Sequence, residues 1–558
     1  MSVLPTYRRS LVALAVTGAL TVPIGLATPA SAGHHRPRPS TATGASVADP
    51  AVSGPIASTS PIGDPAHGYP FLATDVDLAA AGYVEREYLV SGTATRYATS
   101  GTATATVLST GHPYSTRVVV RRPASAKKFN GVVLAEWYNV SNQWDQEVDW
   151  FQTHEHLIQE GYAWVGISAQ RAGLHSATGL KAWSPARYGA LDLTAGGTIL
   201  DDSLSYDVFS QAVKAVRRPA GVDPLGTLPE PSYVIATGHS QSAGRLANYY
   251  NGIEPLANVL DAVVLHGGGG VLRTDLATPV FRINSEGDVA TGILSAAARA
   301  QADSPVLRAW EVAGASHGDW KLITDYGPLR KRDIGTYPGG YPGEPQTCTL
   351  PSLSRVPQHM AQNAVYDHTV DWVAYGEQPP TAPKLQTVDG AIARDDLGLA
   401  LGGIRLAQHA APLRVNSGVN TGPGFCFLDG SSLPLTDTQL ATLYPDLRSY
   451  VDKAVAATRA AVRAGYVPRD VTRDPAWYTD IRELVGEYVA AGRIPARTGA
   501  DLERSLRRAE RHGTAGEQWA AAAQLLRVAA VVYRDLNGDR AARDAVLRPV
   551  LALIKLID

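Results

Sequence analysis

Two short stretches carry a serine, a histidine and small residues at spacings that suit acyl-transfer chemistry. The first is YVIATGHSQSAGRLANYY, Tyr233 to Tyr250, in which an apolar run meets Gly238-His239-Ser240-Gln241-Ser242 and then a helix-like tail closed by Gly252. The second is GASHG, Gly314 to Gly318, a literal Gly-x-Ser-x-Gly around Ser316. A serine hydroxyl becomes a nucleophile when a strand delivers it to a sharp turn and a helix starts at once behind it. Small residues two places either side then let strand and helix approach. Ser240 has that context, with Ser242 standing where the usual motif has its second glycine. Ser316 lacks it, because GDWKLITDYGPL is a poor helix opening, and its neighbour His317 is the more informative residue.

A nucleophilic serine needs a general base and a carboxylate to orient it. In the chain order serine, acid, histidine, His317 falls beyond the last apolar run, where a base is expected. Of the other histidines, His34 and His35 lie in a polar N-terminal stretch, and His154 and His156 sit two apart. His239 precedes the serine and is expected to point away from it, while His266 follows the next strand. The acid is expected in TPVFRINSEGDVATG, which offers both Glu286 and Asp288. Glu286 is marginally preferred for its longer reach from the strand end, and the pair stays open. The oxyanion hole is expected to combine the backbone N–H of Gln241 with one from the loop after GVVLAEW, at Trp137 or Tyr138. Tyr138, Trp144 and Trp150 are candidates for an apolar acyl pocket, or equally for core aromatics.

Such residues need a scaffold, and the apolar runs supply one. GVVLAEW, YAWVGISAQ, YVIATGHS, LDAVVLHGGGG, TPVFRINSEGD and VLRAWEVAGASH are continuously apolar, as strands buried on both faces of a parallel sheet are. Between them, EVDWFQTHEHLIQEG and SLSYDVFSQAVKAVRRPAG carry helical spacing and end at Gly or Pro. This alternation predicts an α/β domain with its chemistry at the carboxyl ends of the strands. Two earlier segments, YVEREYLVSGTATRY and STRVVVRRPA, read as further strands.

Arg8 and Arg9 before LVALAVTGAL, with Ala30-Ser31-Ala32 as a small-residue cleavage site, predict a signal peptide over residues 1–32, for the Sec or the twin-arginine route. Residues 33–65 are rich in Pro, Ser, Thr, Ala and Gly and read as a disordered linker. The α/β domain is expected over 66–470, with a Pro/Gly-rich decorating segment at about 321–430. A separate module of three or four helices is expected over 476–558. The chain has two cysteines, and an even count in an exported protein predicts a Cys348–Cys426 disulfide.

The net charge of -2 leaves no basic surface for phosphate contacts, which excludes nucleic acid as a partner. No segment after the leader approaches a span of about 20 apolar residues. The expected localisation is therefore secreted or at the cell surface, with contact to the surface through the C-terminal helices. No metal or organic cofactor is expected, since zinc-type spacing and a Gly-rich dinucleotide turn are both missing. DLNGD, Asp535 to Asp539, departs from a calcium loop, with Val546 at position twelve instead of Glu.

With these residues named, the chain resembles the alpha/beta-hydrolase superfamily, and within it a group of secreted bacterial alpha/beta hydrolase domain proteins. The resemblance rests on EWYNVSNQWDQEVDW, LIQEGYAWVGISAQRAG, GHSQSAGRLANYYNGI, INSEGDV, RAWEVAGASHGDW, LGLALGGIRLAQ and GFCFLDGSSLPL, over roughly residues 70 to 470. It implies Ser240 as nucleophile, His317 as base and an acid within SEGD. It also implies that the region around Cys426 belongs to the hydrolase domain. Ala243-Gly244 departs from the group's Ser-Gly or Thr-Gly, which puts the helix start in question by one residue. The C-terminal helices resemble a module at the ends of secreted actinobacterial proteins, which implies no activity. The expected function is an exported carboxylic ester hydrolase working on a small-molecule ester through an acyl-enzyme. Peptide or lactone cleavage would use the same parts, and a catalytically idle scaffold binding a surface ligand is the reading from another class.

Overall fold

The computed structural model describes residues 37–290 and 299–557, so the signal peptide expected over 1–32 lies outside the described residues. Nine strands form one sheet: β1 (Ala51–Ser53), β2 (Tyr83–Ser100), β3 (Ala103–Pro123), β4 (Val132–Trp137), β5 (Ala163–Ile167), β6 (Tyr233–His239), β7 (Ala262–His266), β8 (Val280–Ser285) and β9 (Leu307–Val312). Their order across the sheet is β1-β2-β3-β5-β4-β6-β7-β8-β9. The first three strands and the β3–β5 edge pair antiparallel, and β5-β4-β6-β7-β8-β9 run parallel. Each of the six apolar runs in the sequence is one of these parallel strands, and β4 to β8 are buried at every position, as a sheet covered on both faces requires.

Alternation along β4 shows how the two faces are covered. Glu136 receives hydrogen bonds from the N–H groups of Asp149 and Trp150, at the start of the helix Val148–Glu160, and from Trp164 Nε1. The next residue, Trp137, points the other way and packs against Phe209 of the helix Ser205–Arg217 and Tyr249 of the helix Gln241–Gly252. Adjacent strand residues face opposite sides, so helices lie on both. The chain steps from β4 outward to β5 and then returns past β4 to β6. That reversal opens a crevice at the carboxyl ends of β4 and β6, where an open α/β sheet receives ligands.

Residues 37–65 differ from the linker expected of them. Strand β1 pairs with β2, and Ala42 and Val47 are buried. Ser40 bonds Asp261, which also holds the Arg217 guanidinium. Composition alone predicted no structure here, but the segment borrows order from the sheet edge it covers.

The four C-terminal helices Ala476–Ala490, Ala496–Thr514, Gln518–Asp535 and Arg540–Ile557 enclose an apolar core of their own around Tyr478, Leu502, Leu525 and Leu553. They are tied to the sheet-bearing part through ion pairs Arg355–Glu483 and Arg414–Glu487, and through Asp474, which lies 3.0 Å from His359 and accepts from the Ala476 N–H at 2.9 Å. Arg38 to Asp558 therefore form one body. The DLNGD turn joins two of these helices, and Asp539 accepts a bidentate pair of hydrogen bonds from Arg493. No helix among the described residues is long and apolar enough to cross a membrane.

Cys348 and Cys426 form the disulfide, closing a sequence separation of 78 residues. It links the two halves of the decorating segment. In the chain-entropy picture a loop of this size restricts the unfolded chain by about 4 kcal/mol at most. Replacing both cysteines by serine is expected to lower unfolding free energy by a few kcal/mol, read from denaturant melts without reductant, while a melt that does not move would show the loop to be held by packing alone.

Candidate functional site

Ser240 stands between the end of β6 and the start of the helix Gln241–Gly252, with φ 60° and ψ -114°. Few non-glycine residues adopt positive φ, and a strand-to-helix turn that sharp is the place where one is tolerated. The neighbours explain how it is held. A Cβ on Gly238 would come within 3.0 Å of Ser242 Oγ and 3.1 Å of Leu246 Cδ1, so any side chain there would push against the helix and glycine lets strand and helix approach closely. Ser242 stays small and makes use of its hydroxyl: Oγ accepts from the His239 N–H at 3.0 Å and donates to the His239 carbonyl at 2.9 Å. The serine thus pins the turn where a second glycine would only clear it. The helix begins at Gln241, directly after Ser240, so the Ala243-Gly244 departure does not displace its start.

His317 lies on the loop between β9 and the helix Trp320–Ile334. Its Nδ1 is 2.6 Å from Asp288 Oδ1, and both side chains are buried. The other carboxylate oxygen of Asp288 accepts from the Ser285 N–H at 2.6 Å and the Ser285 hydroxyl at 2.8 Å. Burial pushes the Asp288 carboxyl up, but the His317 charge and these hydrogen bonds outweigh it and hold the group below its usual value. Asp288 is thus an anion aimed at the imidazole, and it selects the tautomer that leaves Nε2 as the acceptor.

Glu286, the marginally preferred acid, is turned elsewhere. One oxygen accepts from the Gly314 N–H at 2.8 Å, and the other from Arg394 at 2.6 Å, the Ser417 hydroxyl at 3.0 Å and the Gly418 N–H at 3.1 Å. Its longer reach is spent on the backbone of the loop that leads to His317. Asp288 is on the first turn of the short helix Glu286–Ala290, and it is this position, two residues on, that faces the imidazole.

Ser240 and His317 border one cavity of about 420 Å³ at the carboxyl ends of β4 and β6. No hydrogen bond joins the Ser240 hydroxyl to His317 among the described residues, which is common in such pairs until substrate closes them. Ser316 is buried outside the cavity wall with its hydroxyl donated to the Gly318 carbonyl at 3.0 Å, and so has no access to a substrate. The N–H of Gln241 opens the helix and has no acceptor among the described residues, as the first amides of a helix do not.

Neither Trp137 nor Tyr138 lines the cavity. The Tyr138 N–H donates to the Ile167 carbonyl at 3.3 Å, so β4 and β5 still pair there. The loop meets the cavity one residue later, at Asn139, whose side chain donates to the His239 carbonyl at 2.9 Å. Tyr138, Trp144 and Trp150 belong to the core, and the aromatic rings on the cavity wall are Tyr326 and Phe425.

Sequence reasoning missed two parts of the site. His239 does not point away: its ring lies 4.2 Å from that of His317, and its Nε2 donates to the His317 carbonyl at 3.2 Å. Burial, then the charges of His317 and His266, push His239 far below the usual histidine range, so it is a neutral ring buttressing His317. Gly267, with φ 61°, passes within 3.1 Å of both rings at its Cβ position and must remain glycine. The run of glycines after β7 was the signal for that close approach.

Among the described residues, two clusters have side chains close enough to share a metal ion. In one, Cys348 and Cys426 are joined to each other beside Asp429. In the other, His154, Glu155 and Asp325 surround the Lys321 ammonium, which is 2.7 Å from each carboxylate and already supplies the positive charge.

A family model described as alpha/beta hydrolase domain matches residues 52–474. The chain belongs to that family. The match ends at the first residues before the helix Ala476–Ala490, so the four C-terminal helices are outside the alpha/beta hydrolase part. No curated protein sequence matches the chain. Among solved structures, a Xanthomonas campestris protein described as an a/b serine hydrolase without lid has 14% identity, covering 46% of this chain and 97% of its own, with a TM-score of 0.26. A glucuronoyl esterase from Solibacter usitatus has 10% identity, covering 34% of this chain and 48% of its own, with a TM-score of 0.20. Likenesses that distant say nothing about substrate.

The two carboxylates of this alpha/beta hydrolase are separable by experiment. Glu286→Ala takes the carboxylate away from Arg394 and leaves the Gly314 and Gly418 N–H groups without their acceptor, and is expected to cost about 3 kcal/mol or more in denaturant melts; a loss under about 1 kcal/mol would show the cluster to be dispensable.

Asp429, on the cavity wall 3.7 Å from Cys348 Sγ, is pushed up from the usual 3.8 to about 7 by burial. Folding therefore favours its neutral form. This contribution is full below about pH 4 and is lost as pH rises through about 7, by up to about 4 kcal/mol at 1.36 kcal/mol per unit. Asp429→Asn is expected to gain stability relative to the wild type between pH 4 and pH 7, checked by melts across that range; parallel curves would refute it.

Proposed function

We propose that the protein is an exported serine hydrolase that cleaves carboxylic esters, with Ser240 as nucleophile, His317 as general base and Asp288 as the triad acid. The observation that carries this reading is the coincidence of the Ser240 turn at φ 60° with an Asp288–His317 pair on the wall of one cavity. The leader sequence and the disulfide support export.

Ser240 Oγ attacks the ester carbonyl carbon while His317 Nε2 takes the hydroxyl proton. The carbonyl oxygen becomes an oxyanion facing the free N–H of Gln241. The C–O bond to the alcohol then breaks, His317 returns the proton to the departing alkoxide, and an acyl-Ser240 ester remains. Water repeats the sequence: it gives a proton to His317, its oxygen bonds the acyl carbon, and Ser240 leaves with that proton, releasing the carboxylic acid. Asp288 keeps the Nδ1–H tautomer and stabilises the imidazolium without itself taking a proton. His239, held neutral, adds no second charge beside it.

A fluorophosphonate probe tests the reading directly. Labelling of the full chain is expected, lost in Ser240→Ala and kept in Ser316→Ala. Asp288→Asn is expected to slow labelling by about 10³–10⁴-fold because the imidazole loses its correct tautomer. A folded wild type that takes no label would favour a ligand-binding role for the same cavity.

A further inference from the structure

Among the described residues, the cavity shared by Ser240 and His317 has one arginine or lysine on its wall, Arg330. It lies on the helix Trp320–Ile334, and no carboxylate pairs with it among the described residues. Its buried Nε has no hydrogen-bond partner, and its guanidinium lies over the Trp144 ring at 5.5 Å. Trp144 is itself fixed, donating from Nε1 to the Tyr326 hydroxyl at 2.9 Å. The neighbouring arginine on the same helix, Arg332, is by contrast paired with Asp333.

An arginine held by stacking with its donors unspent is a ready partner for a planar anion, because the guanidinium fork matches a carboxylate in two parallel hydrogen bonds. The remainder of the wall is largely apolar, with Leu322, Ile323, Leu428 and Phe425. The carboxylic acid on the same wall, Asp429, is not paired with Arg330, and burial keeps it neutral up to about pH 7. A cavity of about 420 Å³ has room for a short chain between the reacting ester and a distal charge.

We propose that Arg330 is a specificity-determining residue that selects esters carrying a free carboxylate, bound at the guanidinium while the ester carbonyl sits at Ser240. This rests on the ester-hydrolase reading of the same site and names its substrate class. The carboxylate is on the acyl or the alcohol side of the ester, and the substrates below separate the two.

Full-length wild type, Arg330→Gln and Arg330→Lys are compared on monoethyl glutarate against ethyl pentanoate, and on the pentanoyl ester of glycolic acid against ethyl pentanoate. Matched circular dichroism serves as the folding control. The wild type is expected to prefer the acidic ester in one of the two pairs. In Arg330→Gln the ratio of kcat/KM for acidic over neutral ester is expected to fall about 10–100-fold, carried by KM. Arg330→Lys is expected to keep part of the preference, as a point charge without the fork. An acidic-to-neutral ratio that is the same in wild type and Arg330→Gln for both pairs overturns the proposal.

A second measurement needs no turnover. Ser240→Ala protein is titrated calorimetrically with glutarate and with glycolate, and binding of one is expected, abolished by adding Arg330→Gln. Binding that survives the second substitution, or no binding of either acid, overturns the proposal. If the wild type fails to take the fluorophosphonate label, the hydrolase reading fails while this titration still decides the role of Arg330.

Discussion

The rest of the site depends on the close approach of β6 to the helix that follows it. Ser240 is held at positive φ where Gly238 presents no Cβ to Ser242 and Leu246 and Ser242 ties the turn to His239 on both sides. The backbone strain of such a residue, of order 1–3 kcal/mol, is tolerated where the surroundings over-determine it. Here a buried parallel sheet does so: the Ser240 N–H donates to the His266 carbonyl at the end of β7, which fixes the turn to the neighbouring strand. Everything that meets Ser240 is then set by where the adjacent strands end.

That geometry also accounts for the two carboxylates after β8. Glu286 and Asp288 are two residues apart on one turn, and both are fully buried. One would be costly without partners, and the structure gives each a different set. Glu286 takes backbone N–H groups from Gly314 and Gly418 and the guanidinium of Arg394, which brings together the loop before His317 and the segment after β9. Asp288 takes His317 and the Ser285 turn. The first carboxylate holds the loop and the second holds the ring, so the position of His317 has two independent supports.

The parallel strands were legible because a strand buried on both faces must be apolar throughout, and six such runs were all strands. The elbow was legible because strand, small residue, serine and helix are contiguous in the chain. The partners of Glu286 were not, since Arg394 and Ser417 lie more than 100 residues away and no local pattern links them. Reach along the chain favoured Glu286, whereas a single helical turn after the strand directs Asp288 at the ring. The loop after β4 reaches the cavity one residue later than expected, at Asn139, for a similar reason: β4 continues to pair with β5 through the Tyr138 N–H, which depends on the length of a distant strand. Residues 37–65 failed in the other direction, because order imposed by a neighbouring edge leaves no periodicity in the segment that receives it.

The cavity wall shows why a sheet alone does not make the pocket. The ends of β4 and β6 lead to its floor, at Asn139 and Ser240, but its sides come from the helix Trp320–Ile334 and from the Pro423–Asp429 segment, which belong to the region after the last strand of the nine-stranded sheet. Those sides would be loose if held by their own short elements, since Cys426–Asp429 is a single helical turn. The disulfide fastens this turn to Cys348, and the Gly318 N–H donates to the Leu428 carbonyl at 2.9 Å beside His317. The late segment is thereby coupled to the loop that carries the imidazole. A change in the decorating region then reshapes the pocket without moving the strand ends, so the pocket's chemistry is set by residues such as Arg330 and Asp429 that lie on no core strand.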